Sequence, residues 1–231
     1  MSLVDEMKEK VAKTFKEQWE KREGLVIPEA DALKLSNDAI ELDGVVLYAD
    51  MADSTVLVDT YKHHFAAEIY KSYLYCAAKL IRSEGGEITA YNGDRIMAVF
   101  VGDRKNTSAV KAALKINYAR REIINPAIKA QYNTCDYQVS HTIGIDSCKL
   151  FVARTGVRGA NDLVWVGRAA NHAAKLCLLS HNYPTRITKD VYDKITDEVK
   201  IDSQGKNMRE SVNWSDYNRP IFRSNYQWRI S

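Results

Sequence analysis

The chain has 231 residues, 45% of them hydrophobic and 27% charged, which fits one large folded domain with a sizeable core and excludes a disordered chain. A formal charge of +3 tolerates an anionic ligand but lacks the strong basic stripe of a nucleic-acid binder. The four cysteines form no Cys-x-x-Cys pair, Met1–Glu23 is charged throughout rather than a secretory leader, and no apolar run reaches about 18 residues; these features point to a cytoplasmic protein with reduced thiols and no membrane span.

Leu3, Met7, Val11, Phe15 and Trp19 recur at i, i+4, so residues 3–22 read as an amphipathic helix. Its stripe has two readings: packing on the domain body, the more ordinary one, or contact with a second copy. Pro28 and the polar Ser36–Asp38 stretch mark a connector, so residues 1–40 form a helix-plus-connector segment ahead of a main domain over 41–231. Val45–Ala49 predicts a buried strand. Leu57 to Ser83 predicts one long helix, ended by Gly85-Gly86. Glu87–Tyr91 and Arg95–Val101 predict two strands joined by the tight turn Asn92-Gly93-Asp94.

Thr107 to Ile124 predicts a second helix, stopped near Pro126. Tyr137–Ile145 and Lys149–Arg154 predict a strand and its partner, Leu163–Val166 a further short strand, and Ala169 to Ser180 a third helix. The aromatic tail around Trp214, Tyr217, Phe222 and Trp228 predicts a terminal strand extension. The order strand, helix, strand, strand, helix, strand is an α+β, ferredoxin-like βαββαβ core with additional strands and helices, the helices covering one face of the sheet.

Two carboxylates stand out against this frame. Asp50 follows the run Val45-Val46-Leu47-Tyr48-Ala49, and Asp94 follows Gly93 in the hairpin. In this topology the two strand ends are neighbours, so both carboxylates reach one rim. Mg²⁺ takes one or two carboxylates plus substrate phosphates, and a pair of such ions is the usual device for in-line attack on a nucleoside triphosphate. The Met51 carbonyl is a further candidate ligand. Met51–Thr55 leads into the long helix, where the N–H groups of Ala52, Asp53, Ser54 and Thr55 suit phosphates. For Asp53 a helix N-cap or turn role is the plainer reading. His63, His64, His141, His172 and His181 share no zinc spacing with the cysteines and read as structural. There is no G-x-x-x-x-G-K-[ST] phosphate loop.

These phrases resemble the class III nucleotidyl cyclase catalytic domain over about residues 42 to 190. The matching segments are Tyr48-Ala49-Asp50-Met51-Ala52-Asp53-Ser54-Thr55, then Gly93-Asp94 followed by Met97–Phe100, then Gly144-Ile145, and last Val166-Gly167-Arg168-Ala169-Ala170-Asn171-His172-Ala173-Ala174-Lys175-Leu176. The resemblance implies that Asp50 and Asp94 bind two Mg²⁺ or Mn²⁺ ions, that Asn171 orients the ribose, and that position 175 stabilises charge on the α-phosphoryl group. The family has arginine at that last position. Lys175 keeps the charge and loses the planar two-pronged donor. The resemblance also implies a head-to-tail homodimer, with the metal carboxylates from one subunit and Asn171 and Lys175 from the other.

Adenylyl cyclases of this family read the base with a lysine at the position of Ala90 and Asp or Thr at the position of Val164. Neither side chain here hydrogen-bonds a base edge, so adenine is disfavoured. Guanylyl cyclases carry polar residues there, so guanine is unsupported too. Tyr48 stands where phenylalanine is frequent, and its hydroxyl suits a smaller base; a core tyrosine is the plainer alternative. The pattern is similar to the pyrimidine nucleotide cyclases of bacterial Pycsar anti-phage systems, which implies a cyclic UMP or cyclic CMP product, activation on phage infection and a separate effector that reads the product. With no acidic residue to accept from the cytosine amine, UTP is favoured over CTP. Gly156-Val157-Arg158-Gly159 is equally a loop over the nucleotide or a surface turn, and Arg219, Arg223 and Arg229 read as solvated edge residues before phosphate ligands. A non-catalytic cyclase-like binding module would ordinarily have lost one metal aspartate, and this chain has both.

Overall fold

Two stretches, each carrying a run of strand-forming residues (Val45-Val46-Leu47-Tyr48 and Leu150-Phe151-Val152), form one long strand apiece: β2 (Asp38–Met51) and β5 (His141–Val157), numbered after a short β1 (Glu20–Glu23). The computed structural model describes residues 1–230 and divides into two compact units, with β2 and β5 each contributing residues to both.

The larger unit holds residues 44–148 and 168–230. After β2 come α2 (Ser54–Thr60), α3 (His63–Ser83), β3 (Glu87–Asn92), β4 (Arg95–Phe100), α4 (Lys105–Ala119) and α5 (Asn125–Gln131). The first part of β5 follows, and after residue 167 come α6 (Arg168–Cys177), β7 (Thr185–Thr188), α7 (Lys189–Lys194), β8 (Glu210–Trp214) and β9 (Arg219–Ser224). The strands lie in the order β3-β4-β2-β5-β7-β9-β8. With α3 and α4 as crossovers, β2-α3-β3-β4-α4-β5 is the expected ferredoxin-like core, extended by β7, β9 and β8.

Alternation along the strands separates two faces. Val45, Leu47 and Ala49 of β2, Ile96, Ala98 and Phe100 of β4, and Ile143 and Ile145 of β5 share one core with Tyr73 and Ile81 of α3 and Leu114 of α4. Tyr48, Asp50, Arg95, Met97, Gly144 and Asp146 therefore lie on the opposite face. That face is not bare, which corrects the expectation of a single helical layer. α6 packs there, so close that a Cβ on Gly144 would come within 2.1 Å of the Ala173 carbonyl oxygen. Only glycine permits this approach.

Three element readings change in this unit. The helix expected over Leu57–Ser83 is broken at Tyr61 and Lys62, both extended, giving α2 and α3. Pro126 does not stop a helix: a π-helical turn at Arg120–Ile124 follows α4, and Pro126 sits in the first turn of α5, where its missing N–H leaves no hydrogen bond unmade. No hairpin falls near Asp146. β5 runs straight through because the Asp146 carboxylate is fully buried and accepts from Thr188 Oγ1 at 2.5 Å, and its antiparallel partner is β6 (Ala160–Val166) instead.

The smaller unit holds residues 1–43 and 149–167. α1 (Leu3–Lys16) opens with a reciprocal Ser2/Asp5 capping box and ends at Lys16, short of the expected residue 22. The Asn37 amide donates to the carbonyls of Thr14 and Glu17 at 2.8 Å each, closing the helix end. Trp19 lies beyond the helix, its ring edge-on to Phe151 at 4.9 Å. α1 buries no residue: Leu3, Val4, Met7, Val11 and Phe15 are all exposed, Phe15 at 87%. The reading that this stripe packs on the domain body is thereby overturned.

Candidate active site

The pairing of β2 with β4 sets Asp50 opposite Arg95 and Tyr48 opposite Met97. The pairing of β3 with β4 adds Asn92 opposite Arg95 and Ala90 opposite Met97, after an irregularity between Ile88 and Ala90. Two cross-strand rows result on one face. One is Asn92, Arg95 and Asp50; the other, two residues along, is Ala90, Met97 and Tyr48. The candidate base-reading residues Tyr48 and Ala90 thus lie beside the candidate metal-binding ones.

Asp94 follows Gly93 in the two-residue turn between β3 and β4, and Gly93 takes the left-handed conformation that such a turn requires (φ +64°). The two carboxylates feel each other. Burial pushes the Asp50 carboxyl above its usual range, Arg95 opposes that shift, and the Asp94 charge adds to it. Arg95 Nη2 donates to Asp50 Oδ2 at 2.6 Å, with the two side chains 29% and 12% exposed. The ion pair holds Arg95 more firmly protonated, yet for Asp50 burial outweighs it.

The residues fit a divalent cation. Asp94 Oδ2 is buried with no hydrogen-bond partner, an orphaned acceptor next to a second carboxylate. Among the described residues no three His, Cys, Asp or Glu side chains gather as an all-protein cage. Mg²⁺ and Mn²⁺ are commonly held by one or two carboxylates with substrate phosphate oxygens filling the other positions, so a pair of carboxylates is enough protein for them. Met51, the last residue of β2, is buried beside Asp50.

The segment after Met51 differs from expectation. It enters α2, a helix of seven residues, rather than a long one. The Ala52 N–H is already donated to the Ser140 carbonyl at 2.9 Å, so Ala52 offers no N–H to a phosphate. Asp53 occupies the N-cap position as expected, but its side chain makes no cap hydrogen bond and its backbone is left-handed (φ +57°). Ser54 and Thr55 form the first turn of α2.

Asn171 and Lys175 lie one helical turn apart on the exposed side of α6, while Ala173, Leu176 and Cys177 of the same helix are buried. Cys177 Sγ donates to the Tyr48 carbonyl at 3.4 Å, which fixes α6 over the face that carries Asp50. The side of α6 bearing Asn171 and Lys175 is turned away from the sheet. Among the described residues no hydrogen bond or ion pair joins either of them to Asp50 or Asp94. One chain therefore brings the metal-type residues together and leaves Asn171 and Lys175 facing outward.

Tyr48 is half-buried, with the Arg95 guanidinium 6.0 Å from its ring centroid. Burial pushes its phenol up, so the hydroxyl stays protonated and able to donate. Val164 belongs to β6 in the smaller unit, partly exposed and paired in register with Ala153.

Sequence reasoning missed three contributors. Arg95 carries the ion pair to Asp50, which the strand register encodes but local sequence does not reveal. Asp146 on β5 bonds His172 Nδ1 at 2.9 Å, pinning α6 to the sheet, and burial lowers the His172 pKa despite that carboxylate. Tyr217 hydrogen-bonds Lys175.

No family model matches the chain. It is 54% identical over its full length to a uridylate cyclase from Xanthomonas perforans, covering all of that protein, and 48% identical on the same terms to a uridylate cyclase from Burkholderia cepacia. Among solved structures, the adenylyl cyclase CyaB from P. aeruginosa superposes with a TM-score of 0.69 at 18% identity, over 83% of this chain and 97% of that one, a likeness of fold.

Proposed function

We propose a function from one premise: the chain belongs to the uridylate cyclase family, within the class III nucleotidyl cyclases. The enzyme is a pyrimidine nucleotide cyclase; its substrate is UTP and its products are 3′,5′-cyclic UMP and pyrophosphate. The observation that carries this reading is the pair Asp50 and Asp94 on one rim, with a buried Asp94 oxygen that has no partner, beside a base row of Tyr48, Met97 and Ala90.

Asp50, Asp94 and the Met51 carbonyl would hold Mg²⁺ or Mn²⁺, two ions per site, which when bound would neutralise the triphosphate and acidify the 3′-hydroxyl. The 3′-hydroxyl gives up its proton to water, and its oxygen attacks the α-phosphorus in line. Its bond to phosphorus forms as the bond to the bridging oxygen breaks, and pyrophosphate leaves with that electron pair. Arg95 fixes the Asp50 carboxylate, and Ser54 and Thr55 remain candidate phosphate contacts. Asn171 orients the ribose, and Lys175 offsets charge on the α-phosphoryl group. Because these two face away from the metal rim of their own chain, they serve the site of a second copy, and the working unit is a homodimer with shared sites.

The base row presents no carboxylate to accept from the cytosine amine, while the Tyr48 hydroxyl can both donate to and accept from uracil, which favours UTP over CTP. The bare stripe of α1 is a contact with that second copy. Asp5, Glu6 and Glu9 fall in its first half and Lys10, Lys13 and Lys16 in its second, with Lys8 the exception, so an antiparallel pair of α1 helices is self-complementary. The cyclic product acts through a separate effector in anti-phage defence. No helix among the described residues is long and apolar enough to cross a membrane.

The test is incubation of the purified protein with equimolar ATP, GTP, CTP and UTP plus Mn²⁺, with products resolved by mass. Cyclic UMP is the expected main product. Cyclic AMP as the main product would overturn the base reading, and no cyclic product from any of the four would overturn the site.

A further inference from the structure

The family's arginine on α6 carries its own geometry, a planar fork that fixes the direction of its donors. Lys175 is a point charge on a flexible stem and does not. Some other group must supply that direction if lysine is to serve in its place. Lys175 Nζ donates a hydrogen bond to the Tyr217 hydroxyl and sits 5.1 Å from the centroid of the same ring. Tyr217 lies in a single turn of 3₁₀ helix, Ser215–Tyr217, between β8 and β9, and the left-handed Asn218 (φ +45°) lets the chain reverse there so that Arg219 pairs with Trp214.

The ring is held from behind. Trp214, 2% exposed, lies 4.3 Å from it between centroids, and His172 meets it edge-on at 5.0 Å. His172 is itself tied to the fully buried Asp146 on β5. A continuous set of contacts thus runs from the sheet through Asp146, His172 and Tyr217 to the Lys175 ammonium. The lysine is gripped at its head as well as at its backbone.

We propose that Tyr217 is a positioning residue for Lys175, its hydroxyl, aimed by the packed ring, supplying the direction that a lysine head group lacks. The proposal rests on the reading that Lys175 contacts the α-phosphoryl group. It predicts an interchange: with arginine at position 175, which carries its own fork, Tyr217 becomes dispensable.

The experiment is steady-state UTP cyclisation by the full chain with Mn²⁺, comparing wild type, Tyr217→Phe, Lys175→Arg, the double variant and Lys175→Ala. Tyr217→Phe should lower kcat about 10-fold with KM within about 2-fold, the pattern of an interaction made in the transition state. The same change on the Lys175→Arg background should move kcat by less than about 2-fold. An equal fall on both backgrounds, or none on either, overturns the proposal. Wild-type kcat in Lys175→Ala overturns instead the reading on which it rests.

A second measurement needs no turnover. Lys175 Nζ lies beyond the Tyr217 hydroxyl at the edge of the ring, so the ring current should shift the Lys175 ε-methylene protons downfield in ¹H–¹³C spectra of the wild type, and Tyr217→Leu should return them to the ordinary lysine position. An ordinary position already in the wild type would refute the contact.

Discussion

Replacing Arg95 with Met keeps most of the side-chain volume and removes the cation that faces Asp50. The two charge centres lie about 4 Å apart, an attraction of roughly 4 kcal/mol at an effective dielectric near 20. Desolvation of both groups offsets part of this, and Arg95 is 29% exposed, so water screens part of the rest. Truncation should cost about 2–3 kcal/mol above about pH 7, below the ~3–5 of a fully buried pair. For a chain of this size that lowers Tm by about 5–10 °C. The sign with pH follows from Asp50. Its carboxyl is raised by burial first, with Arg95 opposing. A raised folded pKa means that the folded state holds the proton more tightly than the unfolded one. The associated stability is full below the unfolded carboxylate value and is lost as pH rises through the folded value. Losing Arg95 raises that pKa further, so the gap between wild type and Arg95→Met should open with rising pH and nearly close near pH 4. Saturating Mn²⁺ at about pH 8 should also narrow it, since a bound cation replaces the lost charge. Thermal unfolding at the two pH values, with and without Mn²⁺, measures all three. A gap that ignores both pH and Mn²⁺ would refute the electrostatic reasoning.

Asp94→Asn should reduce cyclisation by more than about 10²-fold, several kcal/mol of lost charge stabilisation, while Tm stays level or rises because a like charge leaves Asp50; a retained rate would contradict the metal assignment. Tyr48→Phe should lower kcat/KM for UTP about 3–10-fold through one lost hydrogen bond, and Tyr48→Ala should raise the share of purine product in a mixed-nucleotide assay read by mass; unchanged product ratios would refute the role of Tyr48. Met7→Asp with Val11→Asp should weaken the homodimer about 10²-fold by placing charge on the α1 stripe, as read by sedimentation velocity; an unchanged dissociation constant would mean that α1 lies outside the contact.

Much of the fold was legible because its signals are local. The turn at Gly93-Asp94 announces the hairpin, and the glycine needs its positive φ there. What sequence could not show depends on neighbours far along the chain. Asp146-Ser147-Cys148 looks like a turn until Thr188 and His172 are seen to satisfy the aspartate inside a continuous strand. The break at Tyr61 and Lys62 has no glycine or proline to mark it; there the Tyr61 ring packs 5.1 Å from Phe65 and 5.5 Å from Tyr137, and such tertiary contacts override helix propensity. The candidate site divides in the same way. Asp50 and Asp94 were readable from strand ends, whereas Arg95 as the partner of Asp50 follows only from the β2–β4 register.

If Asn171 and Lys175 have the roles proposed for them, the placement of α6 makes a second copy a requirement of the chemistry rather than an accessory to it. Gly144 lets the helix lie flat on the face that carries Asp50 and Tyr48, and Cys177 closes it against the Tyr48 backbone. With that side of the helix committed to the sheet, Asn171 and Lys175 are directed outward by the 3.6-residue repeat. Turning them toward their own Asp50 would need α6 to rotate by about half a turn, burying their polar heads and exposing Ala173, Leu176 and Cys177. At about 2 kcal/mol for the leucine alone, with the desolvation of an ammonium added, that rearrangement is closed to a folded chain. A homodimer related by a two-fold axis solves the problem without moving the helix: each chain offers its carboxylate rim to one site and its α6 residues to the other. Mixing Asp94→Asn protein with Lys175→Ala protein should accordingly regenerate one intact site per mixed dimer and restore up to about a quarter of the wild-type rate, since half of all dimers are mixed and each has one of two sites. Two inactive variants that stay inactive together, under conditions where subunits exchange, would show that each site is built within one chain.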